Sequence, residues 1–313
     1  MTIEASIDRL SATGGAEQPH TPAWTGLGTA FFLGDPQDKL DKEWDSSLRL
    51  MAEHGRRGAQ AHWVTLDDVL VRGRTLLLGG VAVKPEDVVW LRLDPSTELR
   101  WSESLRALCH VDARLVNPPA AVLTVHDKRA ALALSPRPSY GVFSAPQLEL
   151  AVDELDRAGI RRVVLKPPSL FGGRGVTILD LAERDAIRAS FAELLPLFGH
   201  VLVEPFLSAA AEVRVLMTAR RVVGVFERPF ETETKKGWPR PIELTPEQRR
   251  LAGAAMEAMR RDGIFMAGLD FLGDTLTEIN VSCPGAIPEV NLLDPGAEGR
   301  IVDDLQAWLA EGR

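Results

Sequence analysis

A lysine followed by three glycines near the middle of the chain could bind a phosphate group. Lys166 ends the apolar run that starts at Val163, and Gly172, Gly173 and Gly175 come shortly after it. Because glycine has no side chain, the backbone N–H groups of such a loop can approach phosphate oxygens closely. The spacing matches neither a Walker loop nor a dinucleotide-binding fingerprint. A glycine-rich hairpin with a solvated lysine is the alternative, and this segment alone leaves both interpretations open.

A second group of polar residues lies in two apolar stretches nearer the C-terminal end. Asp270 lies in the first stretch, and Glu278 and Asn280 lie in the second, with Gly273-Asp274 between them. A hairpin would bring these side chains together, with Glu278 and Asn280 on one face because strand side chains alternate. Three oxygen ligands suit Mg²⁺, which shares its remaining positions with water and phosphate. The alternative is a surface hairpin with an acidic outer face, although Asp and Asn are uncommon within strands.

Two more charged residues lie on predicted strands between these groups. Glu204 ends an apolar run just before Pro205, and Arg214 alternates with valines in Glu212-Val213-Arg214-Val215. A guanidinium can stabilise charge that is spread over phosphoryl oxygens without losing its proton. The alternatives are a surface arginine for Arg214 and an acidic residue that simply ends a strand for Glu204.

Length and composition describe the framework that must position these residues. The chain has 313 residues, of which 45% are hydrophobic and 26% charged, and these values exclude a disordered or fibrous chain. The net charge of −8 argues against general binding to nucleic acid or to an anionic membrane. No apolar run approaches the roughly 18 residues of a membrane span, and no signal-peptide pattern begins the chain, so a cytoplasmic location is expected. Cys109 and Cys283 are too few for a disulfide framework, and Cys109 is expected in the core.

The pattern of apolar residues predicts an α/β fold with two domains after a leader of residues 1–25. The first domain, residues 26–119, is expected to be a small doubly wound α/β domain. Its predicted elements are strands at 29–33, 61–66 and 88–93, a helix over 44–55 and a hairpin around 79–80. The Asn117-Pro118-Pro119 sequence marks its end, because two prolines bar a helix from running through them.

The second domain spans residues 120–313. Its predicted strands are 162–166, 201–204, 212–217, 221–226, 267–271 and 275–281. Its predicted helices are 126–134, 147–158, 181–197 and 246–262. The last helix has the clearest limits, because Thr245, Pro246 and Gln248 form a capping-box start and Gly263 follows the end.

Together these segments resemble the ATP-grasp superfamily and, within it, the prokaryotic glutathione synthetase family, over nearly the whole chain. Gly268-Leu269-Asp270 and Thr277-Glu278-Ile279-Asn280-Val281 are similar to the metal-binding segment of that family. Lys166 with Gly172-Gly173 is similar to its lysine and flexible glycine loop. Lys128, in Val125-His126-Asp127-Lys128, corresponds to its first nucleotide-binding lysine. The resemblance implies an ATP-grasp domain with lobes 120–200 and 201–313, behind a pre-ATP-grasp domain on the substrate side.

The resemblance also implies roles for residues outside these motifs. The segment 201–207 is similar to the interlobe hinge that meets adenine, which assigns nucleotide contacts to Val203, Glu204 and Phe206. Arg214 would face the transferred phosphoryl group. The chain also has an Arg-x-Asp-Pro element similar to that of the family, and the implied peptide-substrate contacts are Arg92, Asp94, Arg228 and Ser282.

The function that the resemblance implies is an ATP-dependent carboxylate–amine ligase with ATP and Mg²⁺, acting through an acyl phosphate. The most specific expectation is glutathione synthetase, which joins γ-glutamylcysteine to glycine and releases ADP and phosphate. Residues 227–240 depart from the long glycine-rich lid of the family, because they contain one glycine and two prolines. This departure favours the alternative of a related ligase that joins other amino acids or peptides in natural-product biosynthesis. A non-catalytic ATP-binding module is the alternative from another class of protein. The family that this chain resembles forms oligomers, so the resemblance also implies a homo-oligomer.

Overall fold

Three four-stranded sheets and one three-stranded sheet organise the part of the chain that the computed structural model describes. That part comprises Trp24 and residues 27–96, 99–170, 172–209, 211–229 and 239–312. The predicted leader lies outside it except for Trp24, and so do residues 231–238 of the divergent segment. Within the described ranges, no helix is long and apolar enough to cross a membrane.

The part of the chain up to Val116 is built on a parallel sheet. Its strands are β1 Ala30–Gly34, β2 Ala61–Val64, β3 Val69–Arg72, β4 Thr75–Leu78, β5 Val81–Ala82, β6 Val88–Arg92 and β7 Arg114–Val116, and its helices are α1 Ser46–Arg56 and α2 Leu99–Leu108. The parallel order is β2-β1-β6-β7, and β3-β4-β5 form a small antiparallel sheet. Every residue of β1 and β6 is buried, as expected for central strands covered on both faces. The predicted hairpin around residues 79–80 is confirmed.

The part of the chain after Val116 contains two antiparallel sheets. Its strands are β8 Tyr140–Val142, β9 Arg162–Lys166, β10 Thr177–Asp180, β11 Val201–Pro205, β12 Ala211–Thr218, β13 Val222–Pro229, β14 Met266–Leu272 and β15 Thr275–Asn280. Its helices are α3 Pro119–Val125, a 3₁₀ helix Lys128–Ala133, α4 Ala145–Arg157, α5 Arg184–Phe198, α6 Pro246–Arg261, α7 Ile287–Leu293 and α8 Ala297–Ala310. The second sheet has the order β10-β9-β11-β8, and the third sheet has the order β13-β12-β14-β15.

The buried core joins the N-terminal sheet to the third sheet. Phe32 and Trp90 of the N-terminal sheet share one cluster with Leu216, Phe265 and Trp308 of the second domain. The second sheet packs on α4 and α5 around a cluster whose buried residues lie between Val142 and Val203. The lobe that carries Lys166 therefore has a core of its own.

Most predicted elements are confirmed, and β9 matches its prediction at both ends. The capping box at the start of α6 is also confirmed, because the Gln248 N–H donates to Thr245 Oγ1 at 3.1 Å and the Thr245 N–H donates to Gln248 Oε1 at 3.0 Å. The helix predicted over 126–134 is instead a 3₁₀ helix preceded by α3, which begins at Pro119 because the first helical position needs no N–H donor. The core position predicted for Cys109 is wrong, since this residue follows the end of α2 and is exposed.

One buried histidine gives the fold a predictable response to acid. His54 has no exposed surface, lies among the rings of Trp24, Phe32 and Trp90, and accepts a hydrogen bond from Trp90 Nε1 at 3.1 Å. Burial, assisted by the charge of Arg57, lowers the pKa of His54 from 6.5 to about 3. The unfolded chain therefore takes up a proton below pH 6.5 while the folded protein does not. The free energy of unfolding should fall by about 1.4 kcal/mol for each pH unit below 6.5, until pH 3 is approached.

Urea denaturation at pH 6.5 and pH 5 measures this effect against His54→Gln, whose amide oxygen can accept the Trp90 hydrogen bond. The wild-type protein is expected to lose about 2 kcal/mol more than the variant over that interval. An equal loss in both proteins would show that other groups cause the acid sensitivity.

Candidate functional site

A cavity of about 570 Å³ lies between the glycine loop, residues 172–175, and the third sheet. Gly172 and Gly173 line it from the loop side. The third sheet and the segment after β15 contribute the other predicted residues that line it, which are Arg214, Arg228, Asp270, Glu278, Asn280 and Ser282. Asp94 lines it from the N-terminal domain. The structure therefore brings together residues that were predicted separately as phosphate, metal and substrate contacts.

Strand register aligns three charged side chains across the third sheet. Arg214 on β12 pairs with Asp270 on β14, which pairs in turn with Glu278 on β15. Arg214 Nη2 donates to Asp270 Oδ2 at 2.9 Å, and Arg214 Nε contacts the other oxygen, Asp270 Oδ1. Asn280 Nδ2 donates to Asp270 Oδ2 at 2.8 Å. Gly268 leaves room for this arrangement, since a Cβ there would lie 3.2 Å from Arg214 Nη1.

Burial and neighbouring charges shift the pKa of two side chains in this row. Burial raises the pKa of Asp270, and the charges of Glu212 and Glu278 reinforce the rise while Arg214 opposes it. Burial works against the charge of Arg214, but the carboxylates of Asp270 and Glu212 outweigh it and hold the Arg214 pKa above its usual value. Three carboxylates thus surround the Arg214 guanidinium, and two of them also pair with other cations, Glu278 with Lys128 and Glu212 with Arg228.

The predicted metal ligands fit Mg²⁺ by their chemistry. Two carboxylates, Asp270 and Glu278, and the amide of Asn280 line the same cavity. Across the described part of the chain, no three His, Cys, Asp or Glu side chains form a group that could hold a metal ion. A set of two carboxylates and one amide remains suitable for Mg²⁺, because this ion is usually held by one or two carboxylates and completes its shell with phosphates and water.

Lys128 connects the glycine loop to the metal row. Its Nζ donates to the Leu170 carbonyl at 2.7 Å and pairs with Glu278 Oε1. Its backbone N–H donates to the Pro168 carbonyl at 2.9 Å, and the ring of His126 donates to the Ser169 carbonyl at 2.7 Å. Three consecutive carbonyls before the glycine loop are therefore held by one short segment, which fixes where the loop begins.

Lys166 belongs to a buried group centred on Glu204. Lys166 Nζ lies 2.8 Å from Glu204 Oε2, and Ser139 Oγ donates to Glu204 Oε1 at 2.6 Å. Arg137 Nε lies 3.3 Å from Glu204 Oε2. The sequence analysis missed Arg137 and Ser139. The signal that could have found them is the Pro136-Arg137-Pro138 sequence, since the two prolines restrict the backbone on both sides of an arginine.

Some predicted nucleotide contacts do not line the cavity in this structure. Gly175 does not line the cavity, and a Cβ there would lie 2.8 Å from Pro167 Cγ, so its backbone packs against the end of β9. The Phe206 N–H donates to the Arg162 carbonyl at 2.9 Å, and its ring lies 4.2 Å from the Arg162 guanidinium carbon. Val203 is fully buried. Contact of Gly175, Val203 and Phe206 with a nucleotide stays a prediction.

Of the predicted substrate residues, Asp94, Arg228 and Ser282 line the cavity, and Arg92 lies behind its wall. Arg92 is buried and does not line the cavity; its Nε donates to Ser47 Oγ at 2.8 Å and its Nη2 to the Pro284 carbonyl at 2.9 Å. Arg92 thus supports the cavity wall at Pro284, and direct contact with substrate stays a prediction. Arg228 lies at the cavity between two acceptors, 3.3 Å from Glu212 Oε1 and 3.3 Å from Glu289 Oε1.

Cys283 also lines the cavity but is a poor nucleophile. Burial raises its pKa to about 12, and the nearby carboxylate of Asp94 adds to the rise although Arg92 opposes it. The thiolate is the reactive form of cysteine, so this thiol stays protonated and unreactive near neutral pH.

Known proteins are similar to this chain in sequence. Residues 151–295 match the family model described as the ATP-grasp domain of prokaryotic glutathione synthetase. The glutathione synthetase of Parasynechococcus marenigrum is 28% identical over 294 residues, which cover 84% of this chain and 93% of that protein. The glutathione synthetase of Brucella melitensis is 27% identical over 289 residues, which cover 80% and 89%.

Solved structures extend the comparison to the whole fold. The crystal structure of D-cycloserine synthetase DcsG superposes with a TM-score of 0.65 at 20% identity, covering 88% of this chain and 98% of that chain. D-alanyl-alanine synthetase A from Vibrio cholerae superposes with a TM-score of 0.63 at 13% identity, covering 91% and 99%.

The chain has the ATP-grasp fold of the solved structures with which it superposes. Residues 151–295 are similar to the ATP-grasp domain of prokaryotic glutathione synthetase, and the curated relatives extend that similarity over most of the chain. The predicted resemblance and the α/β ATP-grasp fold are therefore confirmed. The predicted class of enzyme, an ADP-forming ATP-dependent ligase, is confirmed at the same level.

Proposed function

We propose that the protein joins a carboxylate to an amine at the cost of ATP, through an acyl phosphate. The observation that carries the proposal is the single cavity lined by Gly172 and Gly173 on one side and by Arg214, Asp270 and Glu278 on the other. A glycine loop suits phosphate oxygens, and the opposite row suits a cation and a transferred phosphoryl group. The named activity of the related synthetases supports the same chemistry.

Each charged residue has a role in this reaction. When bound at Asp270, Glu278 and Asn280, Mg²⁺ would neutralise phosphate charge. Lys128 and Lys166 would bind ATP phosphates, and each is buried and paired with a carboxylate. The substrate carboxylate oxygen attacks the γ-phosphorus of ATP, and ADP leaves. Arg214 would stabilise the charge on the phosphoryl oxygens, an interaction strengthened by its burial.

The second step forms the amide bond. The amine nitrogen attacks the carbonyl carbon of the acyl phosphate, loses a proton, and phosphate leaves with the oxygen that came from the carboxylate. Phosphorylation makes this possible because phosphate is a far better leaving group than the oxide of a free carboxylate.

The substrates that we propose are γ-glutamylcysteine and glycine, with glutathione as product. The curated relatives named glutathione synthetase support this choice. The cavity offers side chains of both charges, since Arg228 can bind a substrate carboxylate and Asp94 can bind an ammonium group. Ser282 lies two residues after Asn280 and lines the same cavity, where its hydroxyl can accept from or donate to the amine substrate.

The test is ADP formation by the purified protein with Mg²⁺, ATP, γ-glutamylcysteine and glycine, each omitted in turn, with mass spectrometry of the product. Glutathione is expected only in the complete mixture. ADP formation with another carboxylate and amine, and none with this pair, would replace the substrates and keep the ligase. ATP binding with no ADP formed from any pair would favour a non-catalytic ATP-binding module.

The substitution Lys166→Ala should separate binding from stability. We expect it to weaken binding of a non-hydrolysable ATP analogue by about tenfold or more, because a charged phosphate contact is lost. The melting temperature should change little, since Glu204 keeps Arg137 and Ser139 as partners. Calorimetric titration and thermal denaturation measure both effects, with Lys84→Ala, at an exposed lysine of the N-terminal domain, as control. A lower melting temperature with unchanged affinity would mean that Lys166 serves only the fold.

A further inference from the structure

Arg137 connects the second sheet to the third sheet. Its Nη1 donates to the Leu276 carbonyl at 3.0 Å and its Nη2 lies 3.4 Å from the Thr277 carbonyl, both on β15 of the third sheet. The same guanidinium contacts Glu204 on β11 of the second sheet. The side chain is only 8% exposed. One arginine therefore contacts the sheet that carries Lys166 and the strand that carries Glu278.

The charges around Glu204 do not cancel within this group. Burial raises the pKa of Glu204, but Lys166 and Arg137 outweigh that effect and hold the pKa below its usual value. Glu204 is therefore ionised, and the two cations leave this group with one positive charge in excess. A buried positive charge without a full partner is costly, and an anion such as a nucleotide phosphate would remove that cost.

The two cations differ in what fixes their position. Lysine carries its charge on a flexible four-carbon stem, so the position of the Lys166 ammonium depends on its partner, Glu204. Arginine has a rigid planar group that stays charged. Arg137 is also held by backbone carbonyls of β15 and flanked by Pro136 and Pro138. Arg137 is thus the fixed member of the group and Lys166 the adjustable one.

We propose that Arg137 is a nucleotide-positioning residue. It holds the Glu204 carboxylate, and through it the Lys166 ammonium, in the place from which Lys166 binds a phosphate of ATP. The inference rests on the proposed use of ATP, but it does not depend on which carboxylate and amine are joined.

The test compares Arg137→Met and Arg137→Lys with a matched arginine outside the cleft. Arg300 donates to the carbonyls of Pro295 at 3.0 Å and Val223 at 3.3 Å, so Arg300→Met removes similar backbone contacts. Affinity for a non-hydrolysable Mg-ATP analogue is measured by calorimetric titration, and stability by thermal denaturation. We expect Arg137→Met to weaken the affinity about tenfold or more and Arg137→Lys to restore part of it. Arg300→Met should lower the melting temperature at unchanged affinity.

A double-mutant cycle tests the route through Lys166. If Arg137 acts by positioning Lys166, then Arg137→Met should change the affinity less than about twofold in a Lys166→Met background. Should Arg137→Met fail to fold, Arg137→Gln takes its place, because a glutamine amide can still donate to a backbone carbonyl.

The outcomes separate this inference from the proposed function. Wild-type affinity in Arg137→Met with a lower melting temperature would overturn the inference and leave Arg137 as a structural contact between lobes. A full tenfold effect in the Lys166→Met background would overturn the positioning of Lys166. Wild-type protein that binds the analogue but forms no ADP would overturn the ligase and leave the inference standing. Wild-type protein that does not bind the analogue would overturn both.

Discussion

Replacing Asn117 with alanine is expected to lower the free energy of unfolding by more than about 4 kcal/mol. The Asn117 amide is buried and bonded at both ends. Its Nδ2 donates to the carbonyls of Met266 and Val281, each at 2.7 Å, and its Oδ1 accepts from the N–H of Phe265 at 2.8 Å and of Met266 at 3.0 Å. Alanine would leave two carbonyls and two N–H groups buried without partners, and each such group costs about 1–3 kcal/mol.

Urea denaturation of Asn117→Ala beside Asn291→Ala provides the measurement and its control. Asn291 is a partly buried asparagine that donates to Glu298 Oε2 at 2.6 Å and accepts from the Ala297 N–H at 2.9 Å. Its loss should cost about 1 kcal/mol, because water can replace these partners. Similar losses of unfolding free energy in both variants would show that the four hydrogen bonds of Asn117 contribute no more to stability than the two of Asn291.

Replacing Glu278 with glutamine is expected to lower the rate of ADP and phosphate release by about a thousandfold or more, while the protein stays folded. The carboxylate of Glu278 faces Asp270 across the third sheet and pairs with Lys128, so its charge serves the metal row and the lysine together. Glutamine keeps the shape but removes the charge that a Mg²⁺ ligand and an ammonium partner need. Its side chain is 27% exposed, so the neutral amide can be solvated and the fold should not suffer.

A coupled ADP assay with thermal denaturation of the same samples checks this expectation. Glu257→Gln is the matched control, because Glu257 is exposed on α6 and does not line the cavity. The control should keep wild-type turnover. Turnover of Glu278→Gln within tenfold of the wild-type value would remove Glu278 from the proposed metal site.

The metal row could be predicted from the sequence because it depends on local structure. Asp270 and Glu278 lie on strands joined by a tight turn, so alternation of side chains and a hairpin suffice to bring them together. Lys166 was placed correctly at the end of its strand for the same reason. Four short strands, β3, β7, β8 and β10, were not predicted, since three or four residues give too little periodicity to recognise.

Contacts between distant segments could not be predicted in the same way. Asn117 appeared only as part of a proline-rich boundary, yet its partners lie about 150 residues further along the chain. Arg137 contacts Glu204 and Leu276, and neither spacing has a local signature. Arg92 was predicted from a motif as a substrate contact, but only the fold shows that its guanidinium is engaged by Ser47 and Pro284 in the wall.

The second sheet has a core of its own, whose buried residues lie between Val142 and Val203. We therefore expect its backbone amides to lose their protection from hydrogen exchange separately from the rest of the molecule. Amide hydrogens in β9 and β11 should exchange with deuterium as one group, because opening that lobe leaves the larger core intact. Amides of the N-terminal sheet and of the third sheet should exchange together and more slowly, because Phe32, Trp90 and Leu216 share one buried cluster. The protein should therefore open in two steps, and the first step exposes Lys166 while the metal row remains in place.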